Sequence, residues 1–274
     1  MIEQFIDTIK HKKSPNTIKS YEQDLAKLES YISKHNVDID SLNDLIVQQF
    51  IHQLEKEYSP STVNRIFASV RTFCNWSNQS HAVKDIDIQK VKHISKQEAK
   101  GLNEQEWQSI RLSIANNKTS STKERDLAIF DFLLFSGCRV SEVASINRED
   151  ITYTNGTYTV FIRESKSNES RYVYFNAKQF KYIKRYLDNR EDQNEALFIS
   201  KRGRISVRMI QTMLNEYNVH PHLLRHTFCS TLARKNIDLV TIASLAGHRD
   251  INTTRRYTNP TAKEMAEAVS KAFS

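Results

Sequence analysis

Six side chains in the second half of the chain have the chemical types that transfer of a phosphodiester bond requires when no metal takes part. They are Arg139, Lys166, His222, Arg225, His248 and Tyr257. A tyrosine phenol has a pKa of about 10, so its attack on phosphorus at neutral pH needs a cationic setting and a proton acceptor. Guanidinium groups match the charged phosphate oxygens of the transition state. A lysine can protonate the departing 5′ oxygen, and histidines can carry protons or donate hydrogen bonds.

Each of these residues also has an ordinary interpretation when it is taken alone. Arg139 lies three residues before Glu142, at the spacing of a salt bridge within one helical turn. Lys166 falls in a polar turn, where lysines are commonly solvated, and Tyr257 is compatible with a half-buried core position. The argument for chemistry therefore depends on the whole set and on its order along the chain.

The segments around these residues follow a specific order and spacing. His222–Thr227 reads HLLRHT, and Tyr257 follows His248 by nine positions. An earlier segment, Ser136–Glu142, reads SGCRVSE, and a hairpin segment, Ser165–Val173, reads SKSNESRYV. In these four segments the chain resembles the tyrosine recombinases, the family of phage integrases and Xer-like site-specific DNA recombinases. The resemblance covers the whole chain, including a helical N-terminal part similar to the family's core-binding domain.

The resemblance implies a role for each of the six residues. The two arginines would clamp the scissile phosphate, and Tyr257 would attack it to give a 3′-phosphotyrosyl linkage and a free 5′-hydroxyl. Lys166 would protonate the leaving oxygen, His222 would act as general base or acid, and His248 would hydrogen-bond the phosphate. The tyrosyl ester would keep the energy of the broken bond, so no cofactor is expected, and the cations of the site would replace a metal.

The family also implies partners and a biological outcome. Its members recombine double-stranded DNA at specific sites, as tetramers on two duplexes and through a Holliday junction, and accessory proteins can take part. The chain begins almost directly with the core-binding helices, which favours a simple recombinase, either Xer-like or encoded by a mobile element. Integration, excision and resolution all stay open as outcomes.

The chain departs from the family's pattern at several positions. Serines replace the hairpin glycines on both sides of Lys166, so the assignment of this lysine depends on the alignment of Arg171 and Val173. Lys201 and Arg202 are basic alternatives without that context. Other departures, to which no chemical role is assigned, are Asn236 where glycine is common, Ala243 where glutamine is common, and Asn259 where histidine is common.

The distribution of charge indicates a polyanionic partner. The chain has 274 residues, a net charge of +8 and a hydrophobic content of 39%, enough for two modest domains with real cores. Residues 1–100 carry 14 Lys and Arg against 13 Asp and Glu, and the remaining 26 against 19 lie in residues 101–274. Most of the excess positive charge therefore falls in the second part, where the six residues are.

The cysteines and the apolar segments indicate a cytoplasmic protein, and the family resemblance implies that it is associated with DNA. The three cysteines are scattered among apolar neighbours and form no CxxC pair, which is typical of reduced, buried thiols. The N-terminus lacks the features of a signal peptide, and no apolar stretch approaches the roughly 20 residues that span a bilayer.

The first 90 residues predict an all-α core-binding domain. Apolar residues at helical spacing follow Ser14-Pro15, a second helix is expected over Asn43–Tyr58, and a third begins at Ser59-Pro60. Basic residues of this domain are candidates for DNA contacts, although such residues are more often only solvated. These candidates are Lys13, Arg65 and Arg71.

Residues 91–101 are polar and basic without an apolar face, which predicts a linker to a catalytic domain over residues 102–274. A three-stranded antiparallel meander is expected there, with a tight turn at Asn155-Gly156. The remaining elements are predicted as helices near 103–116, 123–136, 178–188, 207–216, 221–235, 240–246 and 262–273. The fold class is mainly α with a small antiparallel β meander. Because Ala262–Phe273 has an apolar stripe, it is expected to pack on its own domain or on a neighbouring subunit.

Three other functions compete with recombination. A type IB topoisomerase would use similar chemistry to relax supercoils without two defined sites. A catalytically dead DNA-binding protein is disfavoured by the complete set of six residues. A zinc protein is conceivable from His220, His222 and His226, but partners at ligand spacing are missing and Pro221 separates two of the histidines.

Overall fold

The computed structural model describes residues 1–89, 101–117, 121–163, 170–248, 250 and 252–255. The chain divides into two compact units, residues 1–95 and 96–274. Lys166, Tyr257 and the predicted helix Ala262–Phe273 lie outside the described residues, and so does the predicted linker except for its last residue.

The first unit is entirely helical in its described part. Its helices are α1 Ile2–Lys10, α2 Pro15–Lys34, α3 Asp44–Glu57 and α4 Pro60–Trp76. Prolines open α2 and α4 in the first turn, where a missing amide hydrogen costs no helical hydrogen bond. Ser14 caps α2 by accepting a hydrogen bond from the amide of Thr17 at 3.2 Å.

The sequence predicted α2, α3 and α4 but not α1. This nine-residue helix has no side-chain cap at its N-terminus. Phe5, Ile6 and Ile9 are buried in the core of the unit, where the Phe5 ring lies 5.6 Å from that of Phe73 on α4. Since helices this short are marginal in isolation, packing rather than capping stabilises α1.

A charged group joins α2 to α4 inside this unit. Asp24 on α2 is fully buried, and its Oδ2 accepts hydrogen bonds from Nη1 of Arg65 at 2.5 Å and from the Ser69 hydroxyl at 2.8 Å. The Arg65 side chain is still 51% exposed, so it is both a structural partner and a surface cation.

The second unit is mainly helical with two small antiparallel sheets. Its helices are α5 Glu104–Ala115, α6 Lys123–Ser136, α7 Val140–Ser145, α8 Ala177–Asp188, α9 Val207–Asn215, α10 Pro221–Arg234, α11 Leu239–Ala246 and α12 Asn252–Arg255. The strands are β1 Ile151–Thr154, β2 Thr157–Ile162, β3 Arg171–Asn176, β4 Ile199–Ser200 and β5 Gly203–Arg204. The predicted fold class is confirmed.

The predicted meander is present with the order β1-β2-β3. Asn155 and Gly156 both have positive φ, 51° and 83°, as a tight two-residue hairpin turn requires. Val160 on β2 pairs with Val173 on β3, and both side chains face the core. The sheet therefore covers one side of the core around α6, whose Phe130 and Phe132 are fully buried.

The elements missed from the sequence are short. Helix α7 has six residues, and the hairpin β4–β5 has two residues in each strand with Lys201 and Arg202 at its turn. Such lengths are too small for an apolar period to develop, so only the tertiary structure reveals them.

The structure explains one departure from the family's pattern. Asn236, which stands where the resemblance leads one to expect glycine, follows α10 with φ at 59°. Asparagine is the residue other than glycine that most readily adopts this left-handed conformation, so it serves the same turn.

All three cysteines are free and buried. Among the described helices, none combines the length and the low polarity that crossing a bilayer would require.

Candidate active site

Arg139 lies in a sharp turn between two helices. Gly137 ends α6 with φ at 63°, and a Cβ atom there would come within 2.3 Å of the Phe228 ring. Glycine is therefore required both by the backbone conformation and by the close approach of α10. Two residues later, Arg139 is the N-cap residue of α7, with its side chain 32% exposed.

The carboxylate of Glu142 is the centre of the hydrogen bonds around this turn. Its Oε2 accepts from the backbone amide of Arg139 at 2.8 Å, and its Oε1 accepts from Nη1 of Arg139 at 3.0 Å. Burial alone would raise the pKa of Glu142, but hydrogen bonds and charges from Arg171 and Arg139 outweigh burial and hold this pKa below its ordinary value. Glu142 is therefore a fixed negative charge at neutral pH.

Arg171, the first residue of β3, is the second partner of Glu142. Its Nη1 donates to Oε1 at 3.1 Å and its Nη2 donates to Oε2 at 2.8 Å, which is a two-point contact. Its Nε donates to the carbonyl of Leu245 at 3.0 Å, and its Nη2 also lies 3.5 Å from Sγ of Cys138. Burial raises the pKa of the Cys138 thiol to about 11, so this sulfur stays protonated.

Arg225 projects from α10 toward the same turn. Its side chain is buried, and Nη1 donates a hydrogen bond to the carbonyl of Gly137 at 2.7 Å. Burial, together with the nearby charge of Arg139, lowers the pKa of Arg225 from its ordinary value, although a guanidinium still remains charged at neutral pH. Of the two predicted arginines, Arg225 thus contacts the turn at Gly137, and Arg139 belongs to the same turn two residues later.

His248 joins this cluster through the end of α11. Gly247 ends α11 in the left-handed conformation with φ at 70°, and its carbonyl accepts a hydrogen bond from Nη2 of Arg139 at 3.0 Å. The Nδ1 atom of His248 is hydrogen-bonded to the Thr254 hydroxyl at 2.7 Å, which fixes the orientation of the imidazole ring. Thr254 itself is fully buried.

His222 lies on α10 one turn before Arg225 and is exposed. Its neighbour His220 is the N-cap residue of α10, where Nδ1 accepts a hydrogen bond from the amide of Leu223 at 3.1 Å. This capping contact accounts for His220. Among the residues that the structure describes, no group of three His, Cys, Asp or Glu side chains could hold a metal ion.

The structure therefore brings Arg139 and Arg225 to the same turn, joins Arg139 to the Gly247 carbonyl next to His248, and places His222 on the helix that carries Arg225. Lys166 and Tyr257 belong to parts of the chain that are not described. Arg139 and Arg171 contact Glu142, and Arg225 lies near enough to feel its charge, so these three guanidinium groups and one carboxylate carry a net charge of about +2 at neutral pH. A cationic cluster of this kind is suited to an anionic phosphate.

Three residues of this cluster were not among the six. From the sequence, Glu142 is an ordinary salt-bridge partner of Arg139, and Arg171 serves only to align Lys166. Thr254 lies three positions before Tyr257 and contacts His248, a contact that only folding reveals. The signal for Glu142 and Arg171 was their position inside the same segments as Arg139 and Lys166.

The N-terminal candidates for DNA contacts lie on the surface of the first unit. Lys13 is exposed between α1 and α2. Arg71 on α4 is exposed, and its guanidinium carbon lies 4.8 Å from the centre of the Phe67 ring. Together with the half-exposed Arg65, these residues keep their assignment as a prediction.

Two family models match the chain. The phage integrase family matches residues 100–264, and the N-terminal SAM-like domain of phage integrases matches residues 2–81. A tyrosine recombinase XerC of Caldanaerobacter subterraneus subsp. tengcongensis is 31% identical, over 99% of this chain and 86% of the relative. A tyrosine recombinase XerC of Treponema denticola is 28% identical over 91% of this chain and 90% of the relative.

Solved structures share the fold. The XerH site-specific recombinase bound to a palindromic difH substrate has a TM-score of 0.75 at 21% identity and covers 98% of this chain and 83% of its own. The Tn1549 transposon integrase in complex with transposon right-end DNA has a TM-score of 0.75 at 18% identity, with coverage of 100% and 99%. The relatives are named as recombinases, so a topoisomerase is not favoured. The chain belongs to the phage integrase family of tyrosine recombinases.

Proposed function

We propose that this chain recombines DNA at specific sites by forming a covalent 3′-phosphotyrosyl intermediate through Tyr257. The observation that carries the proposal is the cationic cluster, in which Arg139 and Arg225 flank one turn and Arg139 reaches the segment of His248. A site of this kind can stabilise the charge on the non-bridging phosphate oxygens during transfer.

The proposed reaction is an exchange of one phosphodiester bond for another. The phenolic oxygen of Tyr257 forms a bond to phosphorus as the bond to the 5′ oxygen breaks. His222 accepts the phenolic proton, and Lys166 supplies a proton to the leaving 5′ oxygen. His248 donates a hydrogen bond to the phosphate. Attack by a 5′-hydroxyl of the partner strand reverses these steps and joins the strands, with no cofactor consumed.

The two arginines have different roles in this proposal because they differ in exposure. Arg225 is almost completely buried and is held by the Gly137 carbonyl, so its position is fixed before DNA arrives. Arg139 is 32% exposed and can turn part of its guanidinium toward a phosphate. A fixed cation and an adjustable cation together would clamp the two non-bridging oxygens.

The test is a suicide substrate, a target duplex with a nick next to the cleavage position, so that the covalent complex is trapped. We expect the wild-type chain to give a protein–DNA band on a denaturing gel and Tyr257→Phe to give none. Tyr174→Phe removes the hydroxyl of a tyrosine that is 54% exposed on β3, and it serves as the matched control. A covalent band that persists in Tyr257→Phe would refute the proposal.

We further propose that the active form is a tetramer on two duplexes and works through a Holliday junction. Accessory proteins are proposed as additional partners, and the bacterial nucleoid as the place of action. The apolar stripe of Ala262–Phe273 supports this, since it is suited to docking on a neighbouring subunit. Deletion of residues 261–274 is expected to weaken synapsis of two sites more than binding to one site. Gel-shift assays with one and two sites measure both, and equal losses would contradict this docking.

The first unit is proposed to contact the DNA backbone through Lys13, Arg65 and Arg71. All three are exposed, and Arg65 is anchored by the buried Asp24. Such contacts make affinity fall with salt, by a slope of about one unit of log affinity per log salt for each phosphate neutralised. The match of residues 2–81 to the N-terminal domain of phage integrases supports the proposal that the first unit takes part in DNA binding.

A further inference from the structure

We propose that Arg171 is the counter-charge of Glu142, and that it thereby leaves the charge of Arg139 available to the scissile phosphate. Arg171 is thus a positioning residue, since it acts through other groups. The inference rests on the proposed role of Arg139 as a ligand of that phosphate.

The contacts to Glu142 divide unequally between the two arginines. Arg171 donates from both terminal nitrogens, one to each carboxylate oxygen, at 3.1 and 2.8 Å. Arg139 donates only one side-chain N–H, at 3.0 Å, and its other contact is through its backbone amide at 2.8 Å. The second terminal nitrogen of Arg139 turns away to the Gly247 carbonyl. Arg171 is therefore the main side-chain partner of the carboxylate.

This division of contacts affects the net positive charge that remains for the phosphate. With Arg171 present, the three guanidinium groups of the cluster outnumber its one carboxylate, which leaves a net charge of about +2 for the substrate. Without Arg171, only Arg139 and Arg225 would offset the charge of Glu142, and the net charge would fall to about +1. A phosphate would then compete with Glu142 for Arg139. In a partly buried site, where screening by water is weak, such a change has a large effect.

The exposure of Arg171 and Arg139 supports the same division of roles. The Arg171 side chain is 10% exposed, against 32% for Arg139, so Arg139 is the one suited to meeting DNA. Arg171 also holds the Leu245 carbonyl at 3.0 Å, two residues before Gly247. It therefore braces both Glu142 and the segment that leads to His248.

A merely structural role for Arg171 is the alternative, and the chain offers a matched control for it. Arg190 is 4% exposed, pairs with Asp192, and donates to the carbonyls of Ala196 and Leu197. It resembles Arg171 in burial and in partners, but its described contacts do not involve the candidate site. Loss of Arg190 should affect folding and not the electrostatics of the phosphate.

The test compares two suicide substrates, one with the natural scissile phosphate and one with a methylphosphonate at that position. The methylphosphonate has no negative charge, so cleavage depends less on nearby cations. We expect Arg171→Gln to slow formation of the covalent complex roughly 100-fold on the phosphate and less than about 10-fold on the methylphosphonate. Arg190→Gln is expected to change both rates by the same factor.

Two further variants keep the test valid if Arg171→Gln folds poorly. The double substitution Glu142→Gln with Arg171→Gln restores the net charge to about +2, so it should be faster than Arg171→Gln on the phosphate. Arg171→Lys retains the charge but loses the two-point contact, and it should recover part of the rate. Thermal melts of each variant separate folding from catalysis.

The outcomes distinguish this inference from the proposed function. If the loss in Arg171→Gln is equal on both substrates, or if the double variant is no faster than the single one, the counter-charge role is wrong. Arg139→Ala tests the proposed function separately, because an equal loss on both substrates would show that Arg139 does not contact the phosphate. That result would overturn the clamp and this inference with it.

Discussion

Two buried carboxylates of the second unit are each paired with arginine, yet their pKa values move in opposite directions. Glu142 accepts two hydrogen bonds at each oxygen, from two arginines. Asp131 on α6 receives both of its contacts at Oδ1, from Nε and Nη2 of Arg111 at 2.9 and 2.8 Å, and Oδ2 has no protein partner in the described part of the chain. Burial raises the pKa of Asp131 to about 7 against the opposing effect of Arg111.

The difference shows what keeps a buried carboxylate charged. Burial acts in the same direction on both groups, so the number of donors and cations around each oxygen decides the outcome. In the candidate site, Glu142 has enough donors and cations around it to stay negatively charged. Between α5 and α6, Asp131 has too few, and its carboxylate titrates near neutral pH.

The partners of these carboxylates differ as well. The Arg111 guanidinium lies 4.7 Å from the centre of the Trp107 ring and 5.4 Å from that of Phe135. Aromatic contacts of this kind stabilise an arginine without any carboxylate. Arg171 makes its described contacts with Glu142, a carbonyl and a thiol, so Glu142 is the main group that stabilises its buried charge.

The largest expected effect is the loss of folding stability when Glu142 is removed from the candidate site. Glu142→Ala should lower the free energy of unfolding by about 3–5 kcal/mol, because it leaves two partly buried arginines without their carboxylate. Asp131→Ala should cost less, since Arg111 keeps its aromatic contacts. Urea unfolding at pH 7, followed by circular dichroism, measures both. An equal or larger loss in Asp131→Ala would break the comparison.

The next effect is a dependence of stability on pH that comes from Asp131. Between about pH 4 and pH 7 the folded state binds more protons at Asp131 than the unfolded state does, so stability should fall as the pH rises, by at most about 1.4 kcal/mol per pH unit. Asp131→Asn should flatten this slope in melting temperatures recorded from pH 4 to pH 8. An unchanged slope would show that Asp131 is not the titrating group.

Glu142 should act with the opposite sign and at lower pH. Because its folded pKa is held below the ordinary value, its stabilising contribution is complete above that ordinary value and is lost as the pH falls through the folded pKa. Extending the melts of the Asp131→Asn variant below pH 4 separates the two groups.

The smallest expected change in stability is at Asn236, an uncharged residue that serves as a reference for the charged ones. Asn236→Ala should cost about 1 kcal/mol, because alanine at φ of 59° is strained, whereas Asn236→Gly should stay within about 0.5 kcal/mol of the wild type. Thermal melts at one pH measure both variants. A larger loss for glycine than for alanine would mean that the asparagine side chain, and not the backbone conformation, is what matters there.

Sequence reasoning went furthest where local signals were strong. Ser14-Pro15, Asn43 and Ser59-Pro60 mark the starts of three helices, and the Asn155-Gly156 pair marks a hairpin because few residues accept positive φ. It missed α1, although Phe5, Ile6 and Ile9 lie at helical spacing, and it missed α7, α12 and the β4–β5 hairpin, which are too short for an apolar period to develop. The roles assigned to the six active-site residues and the DNA contacts assigned to Lys13, Arg65 and Arg71 all stay predictions.

The sequence by itself indicated the family, most of the longer helices and the six residues proposed for the reaction, because these depend on residue type and spacing along the chain. Only the tertiary structure decided that Glu142 is shared between Arg139 and Arg171, and that the end of α11 meets the turn after α6. The physical reason is that the charge on a buried group depends on how many donors reach it from distant parts of the chain, and no local pattern records that number.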